Sequence, residues 1–448
     1  MNTRRRFHAY PIISLFTLLL FLGMEMDAMA QRNSRSNRAS RERSPQQQLI
    51  YDNINYLPGI RTVQFHPEEN ESGLPVWFLG AQEQLTLSFD DLRGDIRNFY
   101  FSIEHCTADW QSSGLSPLEY VAGYNEDRIT DYSSSVNTFQ PYTHYRFSFP
   151  SPQVKPTRSG NYLLKVYEDA DKRRLILTRR LYVVQSVFGM ELQMLPSTNN
   201  ALRSQNQKLN LTVHTSGHSI SNPHQQIQVL VMQNRRADVQ QWIRQPSFVG
   251  NTELRYHDSR TLDFAGGNEF RYVDLRSLRL ASERVADIRR DSLVQVDMVT
   301  DQNLSHLAYG HLFDENGAFF IRNEDRPDAL EEADYAQVTF SLSADATRQV
   351  IDADAAKIYV VGAFNDFRRS PENQLVYDPQ NKLWTTTIPL KQGLYDYEYV
   401  LEDPLTGNAN AVYFSGSYFQ TGNEYQVLVY YRRAGTTWDE IWGYQVFP

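Results

Sequence analysis

The sequence predicts an all-β protein built of three consecutive β-sandwich domains with few short helices. Three observations carry that prediction. Apolar residues alternate with polar ones in short runs, the runs are bounded by Gly, Pro, Asn and Ser clusters, and helical periodicity is scarce. Leu85, Leu87 and Phe89 alternate in this way, as do Tyr162, Leu164 and Val166; Leu209, Leu211 and Val213; Ile227, Val229 and Val231; and Tyr425, Val427, Val429 and Tyr431. A period of two turns one side of each run toward a core and the other toward water, the pattern of a half-buried antiparallel strand. The helical candidates are Ala237 to Arg244 and Leu278 to Arg290, both short and weakly amphipathic. At about 100 residues per sandwich, the remaining strand-rich sequence exceeds one sandwich and suits three.

In chain order, residues 1–30 read as a secretory signal. Arg4, Arg5 and Arg6 form its cationic start, Ile12 to Leu22 its apolar run and Ala28-Met29-Ala30 its cleavage site, with cleavage after Ala30. The run is too short to span a bilayer, and no later stretch reaches the roughly 18 consecutive apolar residues of a membrane helix. The mature protein is therefore expected to be soluble and extracytoplasmic, without membrane insertion. Cys106 is the single cysteine, so no internal disulfide can form and the core must hold the fold. Residues 31–48 are Arg, Ser, Asn and Gln with almost nothing apolar, which predicts a flexible basic arm.

The net charge of −9 becomes −10 without the signal, whose three Arg oppose Glu25 and Asp27, and −14 on residues 49–448 without the arm, whose five Arg oppose Glu42. An acidic body offers no basic face to phosphates, so no nucleic acid partner is expected. Leu181 to Val187 reads as the last strand of a first domain, 49–188. A second, 189–333, ends in the charged stretch Asn323 to Asp334, and Gln337 to Leu342 opens the third, 334–448. No fixed period repeats, which argues against a solenoid or propeller.

His105 and Cys106 with Asp109 have the composition of a thiol nucleophile and its base. On a strand from Tyr100 to Cys106, however, neighbouring side chains point to opposite faces and share no proton. A buried cysteine acting as a small hydrophobe is the expected outcome, with Asp109 and Trp110 ending the strand and packing the turn toward Leu118, Tyr120 and Val121. His214 and His218 would share a helical face, but on a strand they stand about 13 Å apart with no third ligand nearby in sequence, so no metal is expected. Paired acids such as Asp90-Asp91 and Glu331-Glu332 read as acidic surface. Gly266-Gly267 supplies positive φ to a turn between Leu262-Asp263-Phe264 and the extended Phe270 to Leu275, with Glu269 and Arg271 able to pair along one face. The functional alternative for that block is a partner-facing polar patch. The zinc-protease helix motif, the phosphate-cradling loop and the nucleophile elbow are all missing, so no catalytic residue, cofactor or small-molecule ligand is expected.

Ile358 to Phe367, Lys382 to Leu390 and Gly393 to Val400 follow one another as a strand, a turn, a Trp-bearing strand, a Gly turn and an aromatic strand. This order resembles the early-set immunoglobulin-like modules that include glycogen-binding domains. In the sugar-binding members an exposed Trp commonly follows the Phe-Asn pair, and Phe364, Asn365, Asp366 and Phe367 stand in that region here. Trp384 alternates with Thr386 and Ile388, which predicts burial.

Along the whole chain, Phe89 to Leu92, His105 to Trp110, Leu118 to Tyr124, Tyr142 to Tyr145, Ser159 to Tyr162, Gly266 to Arg271 and Thr421 to Arg432 together resemble the type IX secretion system plug protein family of Bacteroidota. The resemblance runs from about Tyr51 to Gly443. It implies a periplasmic protein, associated with the inner side of the outer membrane, that docks on the giant outer-membrane translocon barrel, SprA, and closes its periplasmic mouth while no cargo is in transit. Such work asks for bulk and rigidity, so the resemblance implies no enzyme. Its candidate partner-contact residues are His105, Asp109, Trp110, Asn268, Glu269, Arg271, Phe364, Asn365, Asp366 and Phe367. The early-set likeness keeps an exported carbohydrate-binding protein as the alternative.

Overall fold

The alternating runs form strands where the period of two places them. Leu85–Asp91, Phe99–Cys106, Gly160–Glu168, Asn206–His214, Ile227–Gln233, Tyr335–Ser343 and Tyr425–Tyr431 are all extended. They are seen in a computed structural model of the chain that describes residues 43–448 except 216, 219, 345–355 and 404. The expected signal and residues 31–42 of the expected arm lie outside the described residues. Among the described residues, α-helix is confined to three four-residue turns at Pro117–Tyr120, Pro223–Gln226 and Val412–Ser415.

Both segments expected to be helical contain strands instead. Gln240–Ile243 pairs with Ile227–Gln233, Ile243 opposite Val229, and Val285–Arg290 pairs with Val294–Met298. Each has too few apolar residues for a helical stripe, and a neighbouring strand satisfies its backbone instead.

Three apolar cores result. In the first, Leu87, Phe89 and Tyr145 from the sheet of Ile60–Pro67, Leu85–Asp91, Thr143–Phe149 and Asp131–Ser134 meet Phe101, Leu164 and Val166 from the facing strands. In the second, Leu209, Leu211 and Val213 meet Val229, Val231, Val427 and Val429. In the third, Val296, Val338 and Phe340 meet Val273, Ile358, Tyr397 and Tyr399.

The 188/189 boundary falls between Leu175–Val184 and Gly189–Pro196, which lie in different sheets. The expected segments 189–333 and 334–448 do not match the second and third cores. Val294–Met298 runs parallel to Tyr335–Ser343 across the 333/334 boundary, Val296 opposite Val338, and Arg271–Asp274 pairs with Gly393–Glu402. The three strands of the early-set-like pattern therefore share their sandwich with strands from 271 to 321. Tyr425–Tyr431 turns back to the second core, where Val429 lies opposite Val229. Alternation shows that a strand has a buried side, but it carries no information about which sheet receives it.

Glu440–Phe447 ties the first two cores together. It pairs with Tyr425–Tyr431 on one side and, at Ile441, lies parallel to Val184 on the other. The amides of Gln185 and Val187 donate to the carbonyls of Ile441 and Trp442 at 2.8 Å each. One ten-stranded sheet thus serves both cores.

Candidate functional site: motif blocks closed into clamps

Two of the polar blocks, Gly266 to Arg271 and Thr421 to Tyr425, lie against each other. Asn423 Nδ2 donates to Gly266 O at 2.7 Å and to Gln207 Oε1 at 3.0 Å, while Asn423 Oδ1 accepts from Asn234 Nδ2 at 2.7 Å. The Thr421 hydroxyl donates to Gly267 O at 2.8 Å, and the Gly422 amide to Glu269 Oε1 at 3.3 Å. Tyr425 OH donates to Gln207 Oε1 at 2.6 Å. Most of these groups are neutral amides, hydroxyls or peptide groups, and each has a partner, as burial demands. The closeness explains the glycine: a Cβ on Gly266 would stand 2.0 Å from Tyr418 O.

Glu269 and Arg271 do not pair with each other, contrary to the sequence expectation. Glu269 is buried and accepts from Tyr309 OH at 2.5 Å, with His311 Nδ1 at 3.5 Å. Arg271 turns to the buried Asp301, Nε to Oδ1 3.4 Å, and donates to Gln302 O at 2.9 Å. Asp301 also receives Tyr397 OH at 2.7 Å and Tyr399 OH at 2.9 Å. Asn268 Nδ2 donates to Ser415 O at 2.8 Å.

These bonds fasten a long irregular loop, residues 299–316, that leaves the third core and returns to it. Tyr418 OH donates to Leu307 O at 2.6 Å, and the Leu304 amide to Phe414 O at 2.8 Å. At the far end, Asp314 Oδ2 accepts the Phe270 amide, and Asp396 Oδ2 accepts the amides of Glu315 at 2.6 Å and Gly317 at 3.2 Å. Burial pushes both carboxyls up, Asp314 to about 6 and Asp396 to about 7. The amides they accept oppose that rise, and neighbouring acids add to it.

The third block, His105 to Trp110, clasps the C-terminal hairpin. The Ala108 amide donates to Asp439 Oδ2 at 2.9 Å, and Arg432 grips the same carboxylate at 2.7 Å. Asn161 Nδ2 donates to Thr107 O at 3.1 Å, and its Oδ1 accepts from Tyr430 OH at 2.9 Å. Trp110 follows the end of the strand at Cys106, as expected, and packs beyond the turn. It lies under the Arg180 guanidinium at 4.4 Å and edge-on to Tyr182 at 5.5 Å, where it covers the shared sheet. Asp109 is exposed, 3.9 Å from Arg244.

His105 and Cys106 are both buried. Burial pushes the imidazole down to about 4 and the thiol up to about 12, so neither carries its reactive charge at neutral pH. His105 Nε2 lies 3.3 Å from Ser159 O, and its ring meets Tyr162 edge-on at 5.0 Å. Of the spaced histidines, His214 Nε2 faces Glu191 at 3.2 Å and His218 packs near Trp442 at 5.7 Å.

In the early-set region, Phe364 packs on Tyr395 at 5.8 Å and Asn365 Nδ2 donates to Val360 O at 3.0 Å. Asp366 accepts from Asn53 at 3.2 Å and faces Arg179 at 3.7 Å. Phe367 is covered by the Arg236 guanidinium at 4.3 Å and flanked by Phe270 at 6.2 Å, which takes the face a sugar ring would stack on. Trp384 is buried against Tyr377, as its alternation predicted.

The sequence reading placed Asp90 on the surface, whereas it is fully buried between the first and third cores. Oδ1 accepts from His144 Nδ1 at 2.7 Å, and Oδ2 from Tyr335 OH at 2.7 Å and Lys391 Nζ at 2.8 Å. Lys391 also stands 4.0 Å above the Tyr142 ring. Burial alone would push the Asp90 carboxyl up, but Lys391 and His144 outweigh it and hold the group below its ordinary value. Burial pushes the Lys391 ammonium down. Tyr142 OH donates to Leu330 O at 2.8 Å and Ala333 O at 2.9 Å, and the Phe139 amide to Asp334 at 2.7 Å. The only sequence signal was Asp90's place next to Phe89 in an apolar run, and a two-sided burial of that strand is invisible from one strand.

Residues 60–185 match the family model described as the type 9 secretion system plug protein, first domain. The matched segment begins with the strand Ile60–Pro67 and ends just after Leu175–Val184, so the match coincides with the first core. A crystal structure of a hypothetical protein from Parabacteroides merdae is similar over 89% of this chain and 100% of that chain, with a TM-score of 0.84 and 27% identity. None of the curated proteins matches.

Proposed function

We propose that this protein is a non-catalytic component of the type IX secretion system, which docks on the periplasmic side of the outer-membrane translocon barrel and seals it when no cargo is in transit. The observation that carries this reading is the plug-family match at residues 60–185, which coincides with the first core. The way the cores are joined supports it. A stopper must resist deformation, and here a shared sheet and two buried ion pairs bind three cores together. A compact 100-residue domain has a radius of gyration of about 13 Å, so three joined cores have the bulk to occlude a wide lumen. Periplasmic residence is part of this proposal, and the signal-like residues 1–30 and the same family resemblance support it.

The carbohydrate-binding alternative loses its motivating residue, because Phe367 is covered by Arg236. Affinity purification of the native protein from cell envelopes tests the proposal. A very large barrel protein is expected in the eluate at a fixed ratio, and recovery only as a free monomer would overturn the reading.

A further inference from the structure

The loop 299–316 combines inward-bonded polar groups with exposed apolar side chains. Tyr309 OH points to Glu269 and the Leu307 carbonyl to Tyr418 OH, while three of its large apolar side chains face water. Leu307 is 52% exposed, Leu312 59% and Phe313 77%. Leu118 and Leu280 are strongly exposed too but stand singly, which is ordinary, while Phe248 and Val249, exposed at 50% and 42%, have Arg255 lying over Phe248. Three in one loop, two of them consecutive, form the kind of patch that marks contact with another protein.

The loop is also held in place before any contact. Tyr309 and Tyr418 pack at 5.6 Å, the Leu304 amide is bonded to Phe414 O, and Asp314 and Asp396 secure the exit. Ordering a long loop without regular structure costs conformational entropy, and here the two motif blocks offset that cost in the free protein. An apolar tip fixed in advance binds with less entropy loss than a mobile one.

Charge indicates the partner's chemistry. Residues 299–316 contain no Lys or Arg, the partly exposed Glu315 stands two residues after Phe313, and residues 49–448 carry −14. The complementary surface is an apolar pocket with a basic rim.

We propose that Leu307, Leu312 and Phe313 are the anchors by which this protein docks, inserting into an apolar, Lys/Arg-rimmed pocket on the periplasmic side of the translocon barrel. The proposal rests on the function proposed above. It assigns the buried Gly266 to Arg271 and Thr421 to Tyr425 blocks a positioning role: they hold the loop that makes contact.

The test measures binding of the full chain to the purified barrel immobilised in detergent. The wild type is compared with the double variant Leu312→Asp, Phe313→Asp and with Leu118→Asp on the first core. The loop variant is expected to bind at least about 30-fold more weakly, as befits loss of a central anchor, and Leu118→Asp to remain within about twofold. Wild-type binding is expected to weaken as salt rises. A photo-crosslinking residue at 313 is expected to label the barrel, and one at 118 to leave it unlabelled; this arm keeps the native fold if the double variant does not express. Undiminished binding by the loop variant, or labelling from 118 alone, overturns the docking surface and leaves the function standing. No binding by the wild type overturns the function itself.

Discussion

The borders of the third core and the interior of the second are held by different means. Where the third core meets the first stands a buried charge pair, Asp90 with Lys391, and Arg236 with Glu398 does the same where it meets the second, whereas the second core closes on itself with amides and hydroxyls grouped around Asn423 and Gln207. An ion pair taken out of water is satisfactory only while both halves are present, because a lone buried charge has no substitute for solvent. An amide network degrades more gradually, since each lost bond leaves a neutral group. The buried contact between Asp90 and Lys391 is therefore all-or-none in a way the Asn423 network is not.

The largest effect is expected from separating the pair. Lys391→Met should destabilise the protein by about 3–5 kcal/mol in chemical denaturation, whereas Asp90→Leu together with Lys391→Met should recover much of that loss. If the double variant is as unstable as the single one, the charge is not what distinguishes this junction. In the amide network Gly266→Ala forces Tyr418 and its neighbours to move, and about 2–4 kcal/mol is expected. Asn423→Ala, which leaves the Gly266 carbonyl without its donor, should cost about 1–3 kcal/mol.

Acidity sharpens the contrast because the buried carboxylates shift in opposite directions. Asp90 is depressed, so its contribution to stability is present at neutral pH and is lost only as pH falls below the ordinary value of 3.8. Asp396, raised to about 7 with backbone amides as its hydrogen-bond partners, contributes fully below 3.8 and loses that contribution as pH rises through about 7. Melting curves should therefore show Asp396→Asn gaining stability relative to wild type between pH 5 and 8, by on the order of 1–3 kcal/mol at pH 8. An unchanged difference across that range would place the strain elsewhere. The smallest effect belongs to Arg61, whose partner Glu372 is 58% exposed, and Arg61→Ala should change stability by no more than about 1 kcal/mol.

Much of the strand content was legible because alternation is a local property. Leu85 to Phe89 and Tyr425 to Tyr431 could be read as strands without knowing their neighbours. What could not be read was partnership. Tyr425–Tyr431 lies beside Ile227–Gln233, nearly two hundred residues earlier in the chain, and Arg271–Asp274 lies beside Gly393–Glu402, so the second and third cores are interleaved in sequence. The same limit hid Asp90. Acids in a strand next to Phe89 resemble surface decoration until a lysine from position 391 arrives to neutralise one of them. The polar blocks were recognisable as unusual, but their bonds to each other follow from the fold, and the sequence placed Glu269 beside Arg271 instead of beside Tyr309.

The return of Tyr425–Tyr431 and Glu440–Phe447 to the second core has a consequence for biosynthesis. The edge of Ile227–Gln233 and the apolar side chains behind it stay open while the ribosome is still adding the intervening residues, and close only when those late strands are delivered. A product lacking those late strands would display a sticky β-edge to chaperones and proteases, so only chains that carry them would escape disposal.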